Sequence, residues 1–250
     1  MEIVAALAAQ QSELSELLRG LDDHGWRART RCDGWDVGDV VLHLAQTDDM
    51  ATASVTGAFS DFLTEWGSAL GAASSVDEGA ARMVEHERGL PDAALLDRWT
   101  SSGSRLLGAL RHVDPSARVP WVAGELSART LATTRLAETW IHTGDVADAV
   151  GRVLAPTDRL EHVARLAWRT LPYAFSSAGR SMAGPVAFRL VSPGGSVWEF
   201  APGEPASTII SGPAVELCEV AARRSDPSAT SLHGEGPDAD AVLELVRTYA

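Results

Sequence analysis

The chain contains no lysine, and all 21 of its basic residues are arginines. This absence excludes the Walker A nucleotide-binding proteins, the pyridoxal-phosphate enzymes and the Schiff-base enzymes, because each depends on a lysine amine. Cysteine is also scarce, since Cys32 and Cys218 are the only two in 250 residues. Two isolated cysteines are typical of a protein from a reducing compartment rather than of a disulfide framework. We therefore expect a cytoplasmic protein.

Long apolar runs and an excess of positive charge are missing as well. No apolar stretch approaches the ~18–20 residues that span a bilayer, so we expect no membrane segment. The formal net charge of −13 repels phosphate backbones and anionic lipid, which argues against nucleic acid as a partner. With 45% hydrophobic residues, the chain is long enough to bury a sizeable core. We expect a globular monomer or homodimer.

Apolar residues recur at helical spacing through the first 180 residues. Asp36 and Ser127 precede two of the apolar patterns as N-caps, and Gly20 and Gly151 follow two of them as stop signals. Two segments are expected to be loops. They are residues 22–35, which are rich in turn residues, and VPWVAGEL, which lies between two predicted helices. The sequence therefore predicts six helices, over residues 3–20, 36–62, 77–87, 92–112, 127–150 and 158–176.

The spacing of the apolar residues changes after residue 180. PVAFRLVS, SVWEFA and STIISG are short, alternate in apolar character and are separated by Gly and Pro, which predicts three strands. Residues 213–222 and 238–249 are helical in pattern again. The predicted fold is mainly α, with a helical domain over residues 1–180 followed by a small α+β domain over residues 181–250.

Three residues have metal-ligand chemistry. Glu138 and His142 are spaced i and i+4, so a helix places them side by side on one face, and His43 lies in a separate predicted helix. Taken alone, His43 is better explained as a buried, hydrogen-bonded core histidine, and the Glu138 and His142 pair is also explained by an ordinary interaction on an exposed helix surface. However, the residues around the pair are largely apolar, and a buried carboxylate there is costly without a cation.

Other side chains near these three carry two interpretations each. Asp39 and Asp145 either orient the imidazoles as hydrogen-bond acceptors or are solvated helix-face carboxylates. Cys32 is a thiolate beside a helix N-terminus or a small buried hydrophobe, whereas Cys218 is expected in the core. Arg135 is expected to pair with an acid on the surface rather than to hold a substrate. Three tryptophans either wall a pocket or serve only in packing: Trp35, Trp121 and Trp140.

The segments TRCDGWDVGDVVLHLA and ARTLATTRLAETWIHTGDVADAVG resemble the DinB-like superfamily. Within it they are similar to the N-terminal domain of mycothiol-dependent maleylpyruvate isomerases, and closer still to an uncharacterised actinobacterial group. This resemblance implies a DinB-like four-helix bundle that holds a divalent metal, usually zinc. The metal ligands of the family fall on His43, Glu138 and His142.

The resemblance also extends to the C-terminal part. The segment GPAVELCEVAARR is similar to the family's small C-terminal domain, in which an arginine faces the active site, and the matching residue is Arg223 or Arg224. One departure is visible, because relatives often have H-G-Q-D where this chain has the residues from His142 to Asp145.

The expected function is a metal-dependent enzyme that uses a low-molecular-weight thiol, mycothiol by resemblance, in a transferase or isomerase reaction. The expected substrate is a small anionic organic molecule, which Arg223 or Arg224 contacts. Two alternatives stay open. One is a thiol-independent metalloenzyme of specialised metabolism, and the other is a non-catalytic binding module in which the metal only joins the helices.

Overall fold

A computed structural model describes residues 2–71, 73–122 and 124–248. Its contacts divide the chain into two compact units, Met1–Leu154 and Ala155–Ala250, which are described separately below. The domain boundary at residue 180 stays a prediction.

The first unit contains seven helices and one β-hairpin within its described residues. Four long helices pack as a bundle, in which α1 (Ile3–Arg19) and α3 (Val37–Thr56) each contact both α6 (Asp92–His112) and α7 (Ala128–Ala149). The predicted mainly helical fold with a four-helix bundle and extra helices is confirmed. The elements are α1 (Ile3–Arg19), α2 (Asp23–Trp26), α3 (Val37–Thr56), α4 (Phe59–Leu70), α5 (Val76–Glu87), α6 (Asp92–His112), β1 (Arg118–Trp121), β2 (Gly124–Ser127) and α7 (Ala128–Ala149).

Helix α3 begins with a capping box. The Asp36 carboxylate accepts from the Asp39 backbone N–H at 3.0 Å, and the Asp39 carboxylate accepts from the Asp36 N–H at 3.1 Å. The N-cap predicted at Asp36 is confirmed. The prediction that this helix runs to residue 62 was wrong, because Gly57 adopts φ +82° and ends it. A left-handed residue of this kind terminates a helix, and α4 starts afresh at Phe59.

Helix α7 is buried on nearly all sides, although it carries many polar residues. Its N-cap is Ser127, as predicted, with the hydroxyl accepting from the Thr130 N–H at 3.1 Å. The segment just before it was expected to be a loop, but β1 and β2 form an antiparallel hairpin there. The hairpin was missed because each strand has four residues and Val119 is the one buried side chain in the two strands. Strands this short do not show the alternation of apolar and polar residues that identifies a strand.

The core of the first unit lies between α1, α3 and α6 and is formed by aliphatic side chains with Trp26 and Trp99. A smaller apolar cluster of Met50, Phe59 and Met83 lies beside it. None of the helices in the described ranges combines the length and the apolar character required to cross a membrane.

The second unit contains helices and four strands within its described residues. Its elements are α8 (Leu160–Arg169), α9 (Leu171–Ser177), β3 (Val186–Val191), β4 (Val197–Phe200), β5 (Thr208–Pro213), α10 (Ala214–Ala221), a 3₁₀ turn (Pro227–Ala229), β6 (His233–Glu235) and α11 (Ala239–Leu245). The strands form one sheet in the order β4-β3-β5-β6, where β3 and β5 are parallel and the other pairs are antiparallel. The three predicted strands are confirmed, whereas β6 was missed.

Two predicted helices of this unit have different bounds in the structure. The helix predicted over residues 158–176 is divided into α8 and α9, because Pro172 lacks the N–H that a continuous helix needs. The last helix was predicted to reach Tyr249, but Val246 leaves the helical region with ψ 133°. Tyr249 itself lies outside the described residues.

Candidate metal centre

Two helices of the bundle present the three ligand-type residues. His43 lies in the second turn of α3, while Glu138 and His142 are one turn apart on α7. Because α3 packs against α7, the spacing that places Glu138 beside His142 also turns both of them toward His43. The ligand atoms of the three side chains all lie within 4.8 Å of one another. The structure therefore brings together the three residues that the sequence singled out.

The distances within this cluster suit a metal ion. The Glu138 Oε2 atom lies 3.7 Å from His43 Nε2 and 3.6 Å from His142 Nε2. Tetrahedral ligands at ~2.0–2.1 Å from zinc stand roughly 3.4 Å apart, so these two distances need to contract by only a few tenths of an ångström. The two imidazole rings meet edge to face, with their centroids 5.2 Å apart. Two nitrogens and one carboxylate oxygen form a donor set that fits zinc and leaves a fourth position for another ligand.

Burial makes this cluster costly without a cation. The side chains of His43 and His142 are only 11% and 9% exposed, and that of Glu138 is 24% exposed. A carboxylate withdrawn from water needs a compensating positive charge, which either a proton on His142 or a bound cation provides. The donor set and its burial therefore fit a metal.

A second carboxylate orients His142 from behind. The Asp145 Oδ2 atom lies 2.9 Å from His142 Nδ1, so a proton on Nδ1 leaves the Nε2 lone pair directed at Glu138 and His43. Asp145 is buried, so its interpretation as a solvated carboxylate on the helix face was wrong. Asp39 does not reach an imidazole, because its two oxygens bond Arg88 at 2.8 and 3.0 Å as well as capping α3.

The Cys32 thiol joins the same arrangement. Its Sγ atom lies 3.5 Å from Asp145 Oδ2 and 3.9 Å from His142 Nδ1. These three residues also form a group with metal-ligand geometry, which shares His142 with the first group. Because a neutral imidazole has one free lone pair, His142 serves as a ligand through only one of its nitrogens at a time. The 2.9 Å contact between Nδ1 and Asp145 is a hydrogen-bond distance, which favours ligation through Nε2.

The surroundings shift the three pKa values in different directions. Burial lowers the pKa of His43 and outweighs the opposing hydrogen bond with Glu138. Burial raises the pKa of Glu138, but its hydrogen bonds with His142 and His43 are stronger in sum and hold that pKa well below its usual range. Burial lowers the pKa of His142, but contacts with Asp145, Cys32 and Glu138 reverse the shift and raise it well above its usual value. Without a metal, these shifts favour a proton on His142 over one on His43 or Glu138.

One tryptophan forms a wall of the cluster. The Trp35 ring lies against the His43 ring with centroids 5.1 Å apart. Trp35 belongs to a tight hairpin in which its carbonyl accepts from the Thr30 N–H at 3.1 Å, and the same hairpin carries Cys32. Trp121 instead packs on Phe59, with centroids 6.2 Å apart, in the smaller apolar cluster. Of these two tryptophans, Trp35 is therefore the one that contacts the predicted site.

Comparison with known proteins identifies the family to which the chain belongs. The protein-family model for the mycothiol maleylpyruvate isomerase N-terminal domain matches residues 7–147, which include all three ligand-type residues. The chain belongs to this family. The resemblance read from the sequence is confirmed.

Relatives of the family match along nearly the whole chain. Two uncharacterised proteins of Mycobacterium tuberculosis, MT0041 of strain CDC 1551 / Oshkosh and Rv0036c of strain H37Rv, are each 31% identical to it. Each match covers 99% of this chain and 95% of the relative. The crystal structure of the mycothiol-dependent maleylpyruvate isomerase has 21% sequence identity and a TM-score of 0.61, covering 95% of both chains. A histidine-to-alanine mutant of that enzyme matches with the same TM-score at 20% identity. These structures show that the fold is shared.

The two arginines that the family resemblance implies lie in the second unit, directly after α10. Arg223 has φ 59°, and its Nη1 donates to the Glu244 carbonyl at 2.8 Å. The Nη1 of Arg224 donates to the Ala222 carbonyl at 3.0 Å. A role for either residue at the metal centre stays a prediction. Cys218 is buried, as expected, and burial raises the pKa of its thiol.

Arg135 differs from its predicted place. It was expected on the surface, but it is buried in the bundle and pairs with the buried Asp48, with 3.0 Å between Nε and Oδ1. Sequence reasoning missed this pair because neither residue stands out from its neighbours by spacing. The neighbours of Asp48 in the sequence, Gln46, Thr47 and Asp49, are polar, so no local signal marked this acid as buried.

Proposed function

We propose that this protein is a metal-dependent enzyme that uses mycothiol in a transferase or isomerase reaction on a small anionic organic substrate. The observation that carries the proposal is the buried cluster of His43, Glu138 and His142, whose spacing fits a zinc ion with one open position. Membership of the mycothiol maleylpyruvate isomerase family and the shared fold support the thiol and the isomerase-like chemistry.

The residues of the site have distinct roles in this proposal. A bound divalent ion supplies a Lewis acid that lowers the pKa of a coordinated thiol. His43 and His142 present neutral nitrogens, while Glu138 brings one negative charge and keeps the net charge of the site low. Asp145 holds His142 in one tautomer. Trp35 covers His43 and limits the approach of water on that side.

A titration of the cobalt-substituted protein with mycothiol tests whether the thiol occupies the open position. We expect an intense near-ultraviolet band that rises to saturation, because cobalt-bound thiolate gives a charge-transfer transition that oxygen ligands lack. The matched control ligand is the same molecule with its thiol replaced by a hydroxyl, which should give no band.

Two other outcomes of this titration support the competing functions. If the band is missing and the enzyme turns over fully without any thiol, the protein is a thiol-independent metalloenzyme. If the band is missing and metal removal unfolds the chain, the metal only joins the helices. Either result contradicts the proposed thiol chemistry.

We further propose that Arg223 or Arg224 binds the anionic group of the substrate. Replacing the contacting residue with alanine should raise KM about tenfold to a hundredfold, since a charge-assisted hydrogen bond contributes roughly 1.5–3 kcal/mol. The metal content should not change. Arg189→Ala, on an exposed strand residue paired with Glu199, is the control and should leave KM unchanged. Unchanged kinetics in both Arg223→Ala and Arg224→Ala would exclude this part of the chain from substrate binding.

A further inference from the structure

A buried ion pair connects the two helices that carry the candidate ligands. The Arg135 side chain on α7 and the Asp48 side chain on α3 are 2% and 0% exposed, and Nε lies 3.0 Å from Oδ1. A third helix joins them, because the Gln11 amide of α1 donates to the second Asp48 oxygen at 3.4 Å. The pair therefore lies inside the bundle, where α1, α3 and α7 meet.

The pair lies close to the candidate metal centre. Asp48 follows His43 by five residues on α3, and Arg135 precedes Glu138 by three residues on α7. These contacts show that the two helices run antiparallel, so the ion pair and the ligand cluster are successive contacts along one helix interface. A shift of α7 along α3 would change both contacts together.

Stability does not explain this ion pair. Removing two charges from water costs more than their attraction usually returns, and apolar residues of the same size often stabilise a core better. The cost is higher here because Nη2 of Arg135 is buried and has no hydrogen-bond partner among the described residues. Burial also raises the pKa of Asp48, although Arg135 opposes the shift. An ion pair that lowers stability in this way is expected to have a role other than stabilising the fold.

Register is the role that the geometry supports. Apolar side chains pack in several registers along a helix interface, and a slip of one helical turn moves a residue by about 5.4 Å. Metal ligands tolerate displacements of only about 0.5 Å. An ion pair within a core is satisfied in one register alone, because any slip leaves two charges unpaired.

We propose that Asp48 and Arg135 are positioning residues, which hold α3 and α7 in the register that brings His43 to Glu138 and His142. The proposal rests on the proposed metal site for its functional meaning. It assigns the pair no contact with the metal or the substrate.

The test compares the wild type with the double variant Asp48→Leu, Arg135→Met, which replaces the pair with apolar side chains. We expect this variant to be folded and at least as stable as the metal-free wild type in urea. We also expect a zinc affinity about tenfold or more lower, because the loss of residues that orient metal ligands usually costs 10–100-fold. The absorption spectrum of its cobalt form should change, since the ligand geometry is relaxed.

Two control variants separate positioning from general effects. Arg135→Lys keeps a positive charge within reach of Asp48 and should keep the zinc affinity within about threefold of the wild type. The double variant Asp49→Leu, Arg105→Met removes a neighbouring but half-exposed ion pair between α3 and α6 and should change neither affinity nor spectrum.

A distance measurement on the metal-free protein distinguishes failure of this inference from failure of the metal site. Spin labels at Thr56→Cys on α3 and Arg129→Cys on α7, with Cys32→Ser and Cys218→Ala, report the register directly. We expect a narrow distance distribution with the ion pair and a broader or shifted one without it, even if the wild type binds no metal. Equal distributions, or a double variant with the zinc affinity and cobalt spectrum of the wild type, would overturn the proposal.

Discussion

Replacing either His43 or His142 with alanine is expected to remove stoichiometric zinc from the protein. Each change deletes one of three ligands, and among the described residues no further imidazole belongs to either group with metal-ligand geometry. We expect the zinc dissociation constant to rise on the order of a thousandfold or more, with loss of activity. Elemental analysis and competition with a chromophoric chelator measure the change.

The control for this prediction is His112→Ala. His112 is exposed at the end of α6, where its ring nitrogen contacts the Gly108 carbonyl, so its loss should leave the metal in place. If His43→Ala and His142→Ala both retain one zinc per chain, the assignment of these ligands is wrong.

The bundle should remain folded in the metal-free variants. Its core is made of fully buried aliphatic and aromatic side chains, including Leu44 and Trp99, and does not depend on the cluster. Circular dichroism of His142→Ala should therefore show the helix content of the wild type. Global unfolding would favour the function in which the metal only joins the helices.

The second large effect concerns pH, because zinc and a proton compete for His142. The pKa of His142 is raised well above its usual value, whereas those of His43 and Glu138 are lowered. Below the raised pKa of His142, zinc must displace one proton from this imidazole, whereas the lowered pKa values of His43 and Glu138 reduce proton competition at those two ligands. Zinc affinity should therefore rise by about tenfold per pH unit in the range below the raised pKa of His142.

The sign of this dependence follows from which form binds. The neutral imidazole is the ligand, and raising the pH toward the folded pKa increases its population, so affinity rises and then levels off above that pKa. Chelator competition across this range gives the slope. A slope near two would mean that His43 is also protonated, and a slope near zero would mean that His142 is already neutral.

Asp145→Asn is the matched variant for this measurement. The substitution removes the carboxylate whose hydrogen bond raises the pKa of His142, while it keeps an acceptor near Nδ1. The plateau should move to lower pH, because the proton is held less strongly. The plateau affinity itself should fall about 10–100-fold, since the carboxylate that orients the imidazole is gone. An unchanged profile would show that Asp145 does not act through His142.

Local sequence patterns were sufficient to predict most helices and three strands. The capping residues Asp36 and Ser127 act on backbone N–H groups a few residues away, so their effect is encoded locally. The exceptions have local causes of their own. Gly57 ended α3 through a positive φ, and Pro172 divided α8 from α9, whereas β6 and the hairpin of β1 and β2 were too short for a periodic signal.

In the candidate site, too, some features are local in the sequence and others are not. The spacing of Glu138 and His142 is a property of one helix, so the sequence alone determined that these two side chains lie together. The sequence also determined the donor chemistry, the resemblance to the family and the absence of any lysine for other kinds of catalysis.

Only the tertiary structure decided how residues distant in sequence meet. It placed His43 3.7 Å from Glu138, Cys32 beside Asp145, and Arg135 inside the bundle against Asp48 rather than on the surface. Burial and long-range pairing depend on which helix faces pack together, and that choice is made by the apolar surface of the whole chain. Helix α7 is buried on nearly all sides although it carries many polar residues, so its sequence pattern does not show which residue of α3 lies opposite.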